Sequence, residues 1–91
     1  MGWFVYIFEA SDGSLYTGVT TDVDRRFVEH CGTGKGAKFF RGRKPVKIAY
    51  IQEHPDRSSA LKREAEIKKL SRENKLQLIG QWVEKPPGRP C

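Results

Sequence analysis

The stretch WFVYIFEASDGSLYTGVT, residues 3–20, decides the fold. Its two halves, 3–9 and 14–20, are rich in aromatic and β-branched side chains, which pack well on a pleated surface. They flank Ser11-Asp12-Gly13-Ser14, a turn cluster in which glycine can take a positive φ. That pattern predicts a β-hairpin. Side chains alternate along a strand, so the register decides whether Tyr6 and Tyr16 share a face. A two-residue Asp12-Gly13 turn would pair Tyr6 with Val19 and separate the phenols. A three-residue Ser11-Asp12-Gly13 loop, with Gly13 as the left-handed bulge residue, pairs Tyr6 with Gly18 and Tyr16 with Phe8, so both phenols lie on one face. The second register is the expected one, in part because Gly18 then leaves open space opposite Tyr6.

Working outward, residues 22–31 fit a short helix with Asp22 as N-cap and Val23 and Phe27 inward at i and i+4. At about 100° per residue, Arg26 and His30 fall on the flank of the inward face, and Arg25 and Glu29 point away. Residues 32–47 hold six bases, four glycines and no acid. They read as a long basic loop. Val46 to Glu53 alternates and predicts a third strand, which His54-Pro55-Asp56 ends while capping the next helix. From Arg57 to Leu70 the apolar residues Ala60, Leu61, Ala65, Ile67 and Leu70 form one broad stripe. A last helix runs from Arg72 to Trp82. The expected architecture is therefore α+β, a small antiparallel three-stranded sheet flanked by helices in ββαβαα order. It forms a single domain over 1–84 with a flexible tail over 85–91.

Composition narrows the function. At 91 residues there is room for one core, which excludes two-domain enzymes and repeat arrays. With 37% hydrophobic and 31% charged residues the chain can close a compact core but not a deep pocket around a large cofactor, so chemistry belongs in a shallow cleft. Only two cysteines occur, Cys31 and Cys91, too few for a disulfide framework or a zinc site with two Cys pairs. The N-terminus lacks signal-peptide character and no run of 18 apolar residues exists, so a cytoplasmic protein with free thiols and no membrane association is expected. The net charge of +6 points to a polyanion, with nucleic acid the leading class. Residues 1–31 carry five acids and two bases, net −3, so residues 32–91 hold +9. The second part faces the polyanion.

Within the second long helix, Glu64 lies about 40° from Ala60, between Ile67 and Leu61, so a carboxylate sits inside the apolar arc. It needs a compensating cation, either a metal or a basic side chain. A surface i,i+4 pair with Lys68 accounts for the spacing equally well. His30 reads either as a partly buried histidine closing the first helix or as a functional group. Tyr6 and Tyr16 read either as sheet-packing aromatics or as site phenols. Arg26 reads as an ordinary helix arginine pairing with Asp22 or as an anion ligand. The Phe39-Phe40 pair in the basic loop can pack or stack on bases.

Taken together, Tyr6, Leu15-Tyr-Thr-Gly-Val-Thr20, Arg26, His30 four residues later and Glu64 on a later helix form a pattern that resembles the GIY-YIG nuclease superfamily. Its small stand-alone bacterial branch, the UPF0213 group, is the nearest likeness. Gly34-Lys-Gly-Ala-Lys-Phe-Phe-Arg-Gly-Arg43 and Ala60-Leu-Lys-Arg-Glu-Ala-Glu-Ile-Lys-Lys-Leu-Ser71 are similar to that branch too, so the likeness spans about residues 3–80. Of the two name-giving triplets, Phe4-Val-Tyr6 and Tyr16-Thr-Gly18 keep Tyr6, Tyr16 and Gly18 literally. The resemblance implies a metal-dependent endonuclease that hydrolyses phosphodiester bonds in DNA, in repair or on branched, damaged or single-stranded substrates. The alternative is a nucleic-acid-binding module of the same fold that cleaves negligibly. In family terms Glu64 is the sole protein ligand of one Mg²⁺ or Mn²⁺ ion, Arg26 makes a forked contact to the scissile phosphate, and Tyr6 is general base toward water. Its phenol, with an ordinary pKa of about 10, must then be lowered by neighbours among Arg26, a metal-bound water, His30 and Tyr16. Lys35, Lys38, Arg41 and Arg43 hold flanking phosphates in a salt-sensitive, mostly sequence-blind way, on DNA or RNA. The expected protein is a monomer or a component of a larger repair complex.

Overall fold

The hairpin closes through the three-residue loop. The Ala10 amide donates to the Ser14 carbonyl at 2.8 Å and the Gly13 amide to the Ala10 carbonyl at 2.9 Å. The Asp12 carboxylate accepts from the Ser14 amide at 3.0 Å, and Gly13 stands at φ +86°, a conformation glycine adopts without penalty. This loop sets the register that pairs Tyr6 with Gly18 and Phe8 with Tyr16.

The structure, a computed structural model, describes residues 2–31 and 44–81. Its elements follow in the expected order: β1 (Trp3–Ala10), β2 (Leu15–Thr20), α1 (Val23–His30), β3 (Pro45–His54), α2 (Arg57–Lys68) and α3 (Arg72–Gln81). The three strands form one antiparallel sheet in the order β2-β1-β3. The fold is α+β, as the residue pattern predicts. Residues 35, 38, 41 and 43 of the basic loop, Phe39-Phe40, Trp82 and the tail over 85–91 lie outside the described residues.

β1 is paired on both sides and covered on both faces, which makes it the most buried element. Alternation divides it. Val5 and Ile7 pack with Tyr50, Ala60 and Ile67 under α2, whereas Tyr6, Phe8 and Ala10 pack with Val23 and Phe27 under α1. Each large apolar side chain buried this way contributes about 1.5–3 kcal/mol relative to exposure. Helices α1 and α2 start on the caps their sequences carry. The Asp22 carboxylate accepts from the Arg25 amide at 3.1 Å and the Asp56 carboxylate from the Ser59 amide at 2.8 Å.

Four expectations are corrected. Strict alternation along β3 fails because the register against β1 shifts between Ile7 and Phe8, which face Tyr50 and Ile48 respectively. That bulge puts Ala49 and Tyr50 together in the α2-side core, and a second shift, between Glu9 and Ala10, skips Val46, which is 46% exposed. The strand also runs one residue further at each end than expected, from Pro45 to His54. On α2 the stripe is narrower than the helical projection implies: Ala60 and Ile67 are fully buried, but Leu61 is 39% exposed and Ala65 lies on the surface. Finally, Cys31 at the C-cap of α1 is disulfide-bonded and not a free thiol.

Candidate active site

Tyr6 is the centre of the arrangement, and the sheet register puts it there. Its ring stacks on Phe8 at 4.2 Å between centroids, and Phe8 meets the edge of Phe27 at 5.1 Å. From this support the phenol leans over Gly18 on the edge strand β2. A Cβ at Gly18 would stand 2.6 Å from the Tyr6 Cζ, so the space opposite Tyr6 is filled by the phenol itself and is not open as expected. Glycine is required for that close approach. Tyr16, one register step away on the same face, lies 6.3 Å from the Tyr6 ring.

Helix α1 brings the next two groups. His30, one turn beyond Arg26, is buried at 3% exposure and sits edge-on to Tyr16 at 5.4 Å and to Phe8 at 5.7 Å. Its Nε2 lies 3.3 Å from the Tyr6 hydroxyl, which donates to it when the imidazole carries its proton on Nδ1. Arg26 donates through Nη1 to Glu29 Oε1 at 2.9 Å, and its guanidinium lies near enough to the Tyr6 phenol to perturb it. The pairing of Arg26 with Asp22 through side chains is not what the structure contains; Asp22 is engaged as the cap.

The electrostatics follow from burial. Burial pushes the Tyr6 phenol far above its ordinary range; the Arg26 guanidinium pulls it down only in part, and the charges of Tyr16 and Glu64 add to the rise. The expectation that neighbours lower this phenol is thus met by Arg26 alone among them and is outweighed by desolvation. His30 is lowered to about 4, first by burial and then by the Arg26 charge, so its imidazole is neutral at pH 7. Burial works against the Arg26 charge, but Glu29 and Tyr6 more than compensate, and Arg26 holds its proton more tightly than usual.

Glu64 arrives from α2, on the opposite layer. Its side chain is 20% exposed, it pairs with Lys68 at 3.4 Å through Oε2, and its charge reaches the Tyr6 phenol. The structure contains the i,i+4 pair with Lys68, on the margin of a narrow stripe. Among the described residues no three His, Cys, Asp or Glu side chains cluster as a metal cage. A single partly exposed carboxylate suits a hard ion that keeps most of its waters, such as Mg²⁺ or Mn²⁺, and does not suit zinc, which wants three or four protein ligands. Glu29 was placed on the outward side by projection, yet its carboxylate bridges Arg25 and Arg26. Its i+4 and i+3 spacing from those arginines was the available signal.

Of the five sequence-derived positions, Tyr16 and His30 lie against the Tyr6 ring, and the charges of Arg26 and, most weakly, Glu64 act on its phenol. The profile of the GIY-YIG catalytic domain matches residues 2–77. The UPF0213 protein of Haloquadratum walsbyi is 56% identical over 81 residues, covering 89% of this chain and 90% of its own. That of Desulfotalea psychrophila is 49% identical over 77 residues, covering 85% and 70%. The solution NMR structure of the UPF0213 protein from Bacillus halodurans matches with a TM-score of 0.57 at 48% identity, over 89% of this chain and 85% of that one. Among the described residues no helix is long and apolar enough to cross a membrane. Proteins with the GIY-YIG domain are generally endonucleases that act on nucleic acids with divalent metal ions. By profile, by relatives and by the grouping around Tyr6, this chain belongs to the GIY-YIG catalytic-domain family.

Proposed function

We propose that the chain is an endonuclease that hydrolyses DNA phosphodiester bonds with one Mg²⁺ or Mn²⁺ ion held by Glu64. The observation that carries the reading is the buried Tyr6 hydroxyl, 3.3 Å from the neutral imidazole of His30 and within reach of the Arg26 guanidinium charge. A phenol this buried does not ionise by itself. It transmits a proton instead: as its oxygen takes a proton from the attacking water, its own proton passes to His30 Nε2, and Arg26 stabilises the oxygen throughout. His30 is weakly basic in the free protein because of burial and the Arg26 charge. A phosphate opposite Arg26 cancels the second cause, so the substrate itself raises the basicity of the acceptor. Arg26 also offsets the charge that builds on the phosphate, and Tyr16, beside Tyr6 and His30, closes the aromatic wall that keeps bulk water from the relay. When bound at Glu64, the divalent ion supplies Lewis-acid stabilisation of the leaving oxygen. Lys35, Lys38, Arg41 and Arg43 are the proposed contacts to flanking phosphates.

The test is nicking of supercoiled plasmid and of branched DNA by the purified protein, with Mg²⁺ or Mn²⁺ and with chelator, beside Glu64→Ala and Tyr6→Phe. The expected result is ion-dependent cleavage that falls by about 100-fold or more in both variants. Equal nicking by variants and wild type would trace the activity to a contaminant. Intact DNA binding without nicking would leave a nucleic-acid-binding module in place of the nuclease.

A further inference from the structure

The relay described above uses Arg26 at two points, and a guanidinium at the end of a flexible stem must be aimed before it can serve either. Glu29 is the group in contact with it on the side away from Tyr6. Its side chain is only 16% exposed, against 73% for Arg25, although both lie on the outward side of the α1 projection. Two arginines of its own helix donate to the carboxylate: Oε1 accepts from Arg26 Nη1 at 2.9 Å and Oε2 from Arg25 Nε at 3.2 Å. Arg26 is thereby held by Glu29, with the Tyr6 phenol within electrostatic reach of its guanidinium. Because Arg25 shares the carboxylate, Glu29 does not spend its whole charge on Arg26. Arg25, Arg26 and Glu29 line the same groove of about 290 Å³, together with Trp3, Val19 and Thr20. A phosphodiester entering that groove meets a guanidinium whose direction is already set.

We propose that Glu29 is a positioning residue that orients the Arg26 guanidinium toward Tyr6 and toward the groove, with Arg25 bracing the Glu29 carboxylate in turn. The proposal deepens the nuclease reading and rests on the role given there to Arg26. A site loses rate when the outer partner of a reacting group is removed even though the group itself remains, commonly by about 10–100-fold where such partners support metal ligands. Here the loss should fall on kcat, because the Arg26 contact strengthens as charge builds on the phosphate.

The experiment follows the Nε–Hε group of Arg26 by ¹⁵N relaxation in the free protein, without DNA or metal, in wild type, Glu29→Ala, Glu29→Gln and Arg25→Ala. The amide keeps an oxygen that can accept from Nη1, so Glu29→Gln should retain most of the restraint. Glu29→Ala should release it, and Arg25→Ala should fall between. In the plasmid assay Glu29→Ala should lower kcat about 10–100-fold with KM within about twofold, and Glu29→Gln should recover most of that loss. Unchanged Arg26 mobility in Glu29→Ala would overturn the proposal, as would a mobile Arg26 with wild-type kcat. Should the wild-type protein not cleave at all, the nuclease reading fails, and the relaxation data still decide whether Glu29 holds Arg26. Circular dichroism of each variant confirms that α1 is intact, and the Glu29→Gln comparison separates aim from charge.

Discussion

Acidification from pH 7 to pH 5 should destabilise this protein through one buried imidazole. His30 is 3% exposed and its pKa stands at about 4, against about 6.5 for an unfolded histidine. Between those two values the unfolded chain binds the proton and the folded chain does not, so stability is complete above about pH 6.5 and declines as pH falls toward 4. The full gap corresponds to about 3 kcal/mol, of which about 2 kcal/mol is lost by pH 5. Such a loss is a large part of the reserve of a domain this small. The assay is urea unfolding at pH 7 and pH 5 of wild type and His30→Gln, whose amide can still accept from the Tyr6 hydroxyl. Every other titrating group is common to both proteins, so the wild type should lose about 2 kcal/mol more than the variant over that interval. Equal losses would show that the imidazole is protonated as readily folded as unfolded, and the neutral proton acceptor on which the relay depends would be gone.

Gly18→Ala should destabilise by about 1–3 kcal/mol in thermal unfolding, because its Cβ collides with the Tyr6 ring and the edge strand or the phenol must shift; an unchanged melting temperature would refute the close approach. Asp22→Ala removes the cap of α1 and should cost about 1 kcal/mol, with faster amide exchange at Asp24 and Arg25; unaltered exchange would mean the cap is dispensable. Glu64→Gln should change stability by less than about 1 kcal/mol, since the pair with Lys68 is largely solvated, yet abolish Mn²⁺ binding followed by water proton relaxation. Retained Mn²⁺ binding would place the ion elsewhere. Replacing Lys38 and Arg41 together by Ala should lower the slope of log binding constant against log salt by about 1.8 on duplex DNA, and an unchanged slope would remove that loop from the backbone contacts.

How far the sequence reached depended on which physical signal was local. The hairpin register was legible because Ser11-Asp12-Gly13 fixes it within three residues, and with it came the placement of both tyrosines. The caps at Asp22 and Asp56 were legible for the same reason, each needing only its own first turn. The break in β3 was not, because the bulge at Ala49 and Tyr50 arises from register against β1, residues far away in the chain. Glu64 was half legible. Periodicity placed it in an apolar arc, but the arc narrows once Leu61 turns to solvent, and only the assembled fold puts the carboxylate within electrostatic reach of Tyr6. The direction of the Tyr6 perturbation also escaped sequence reasoning. Desolvation depends on how completely Phe8, Tyr16 and α1 enclose the ring, and no spacing encodes that.

The middle strand carries its two duties on alternate residues. Val5 and Ile7 tie down one layer, and Tyr6, between them, carries the hydroxyl proposed to react. The proposed reacting point is therefore also among the last to be released when the chain comes apart. Heat inactivation and loss of structure should then trace a single curve, and a variant library aimed at new reactivity would find that tolerance at position 6 is limited by folding before it is limited by chemistry.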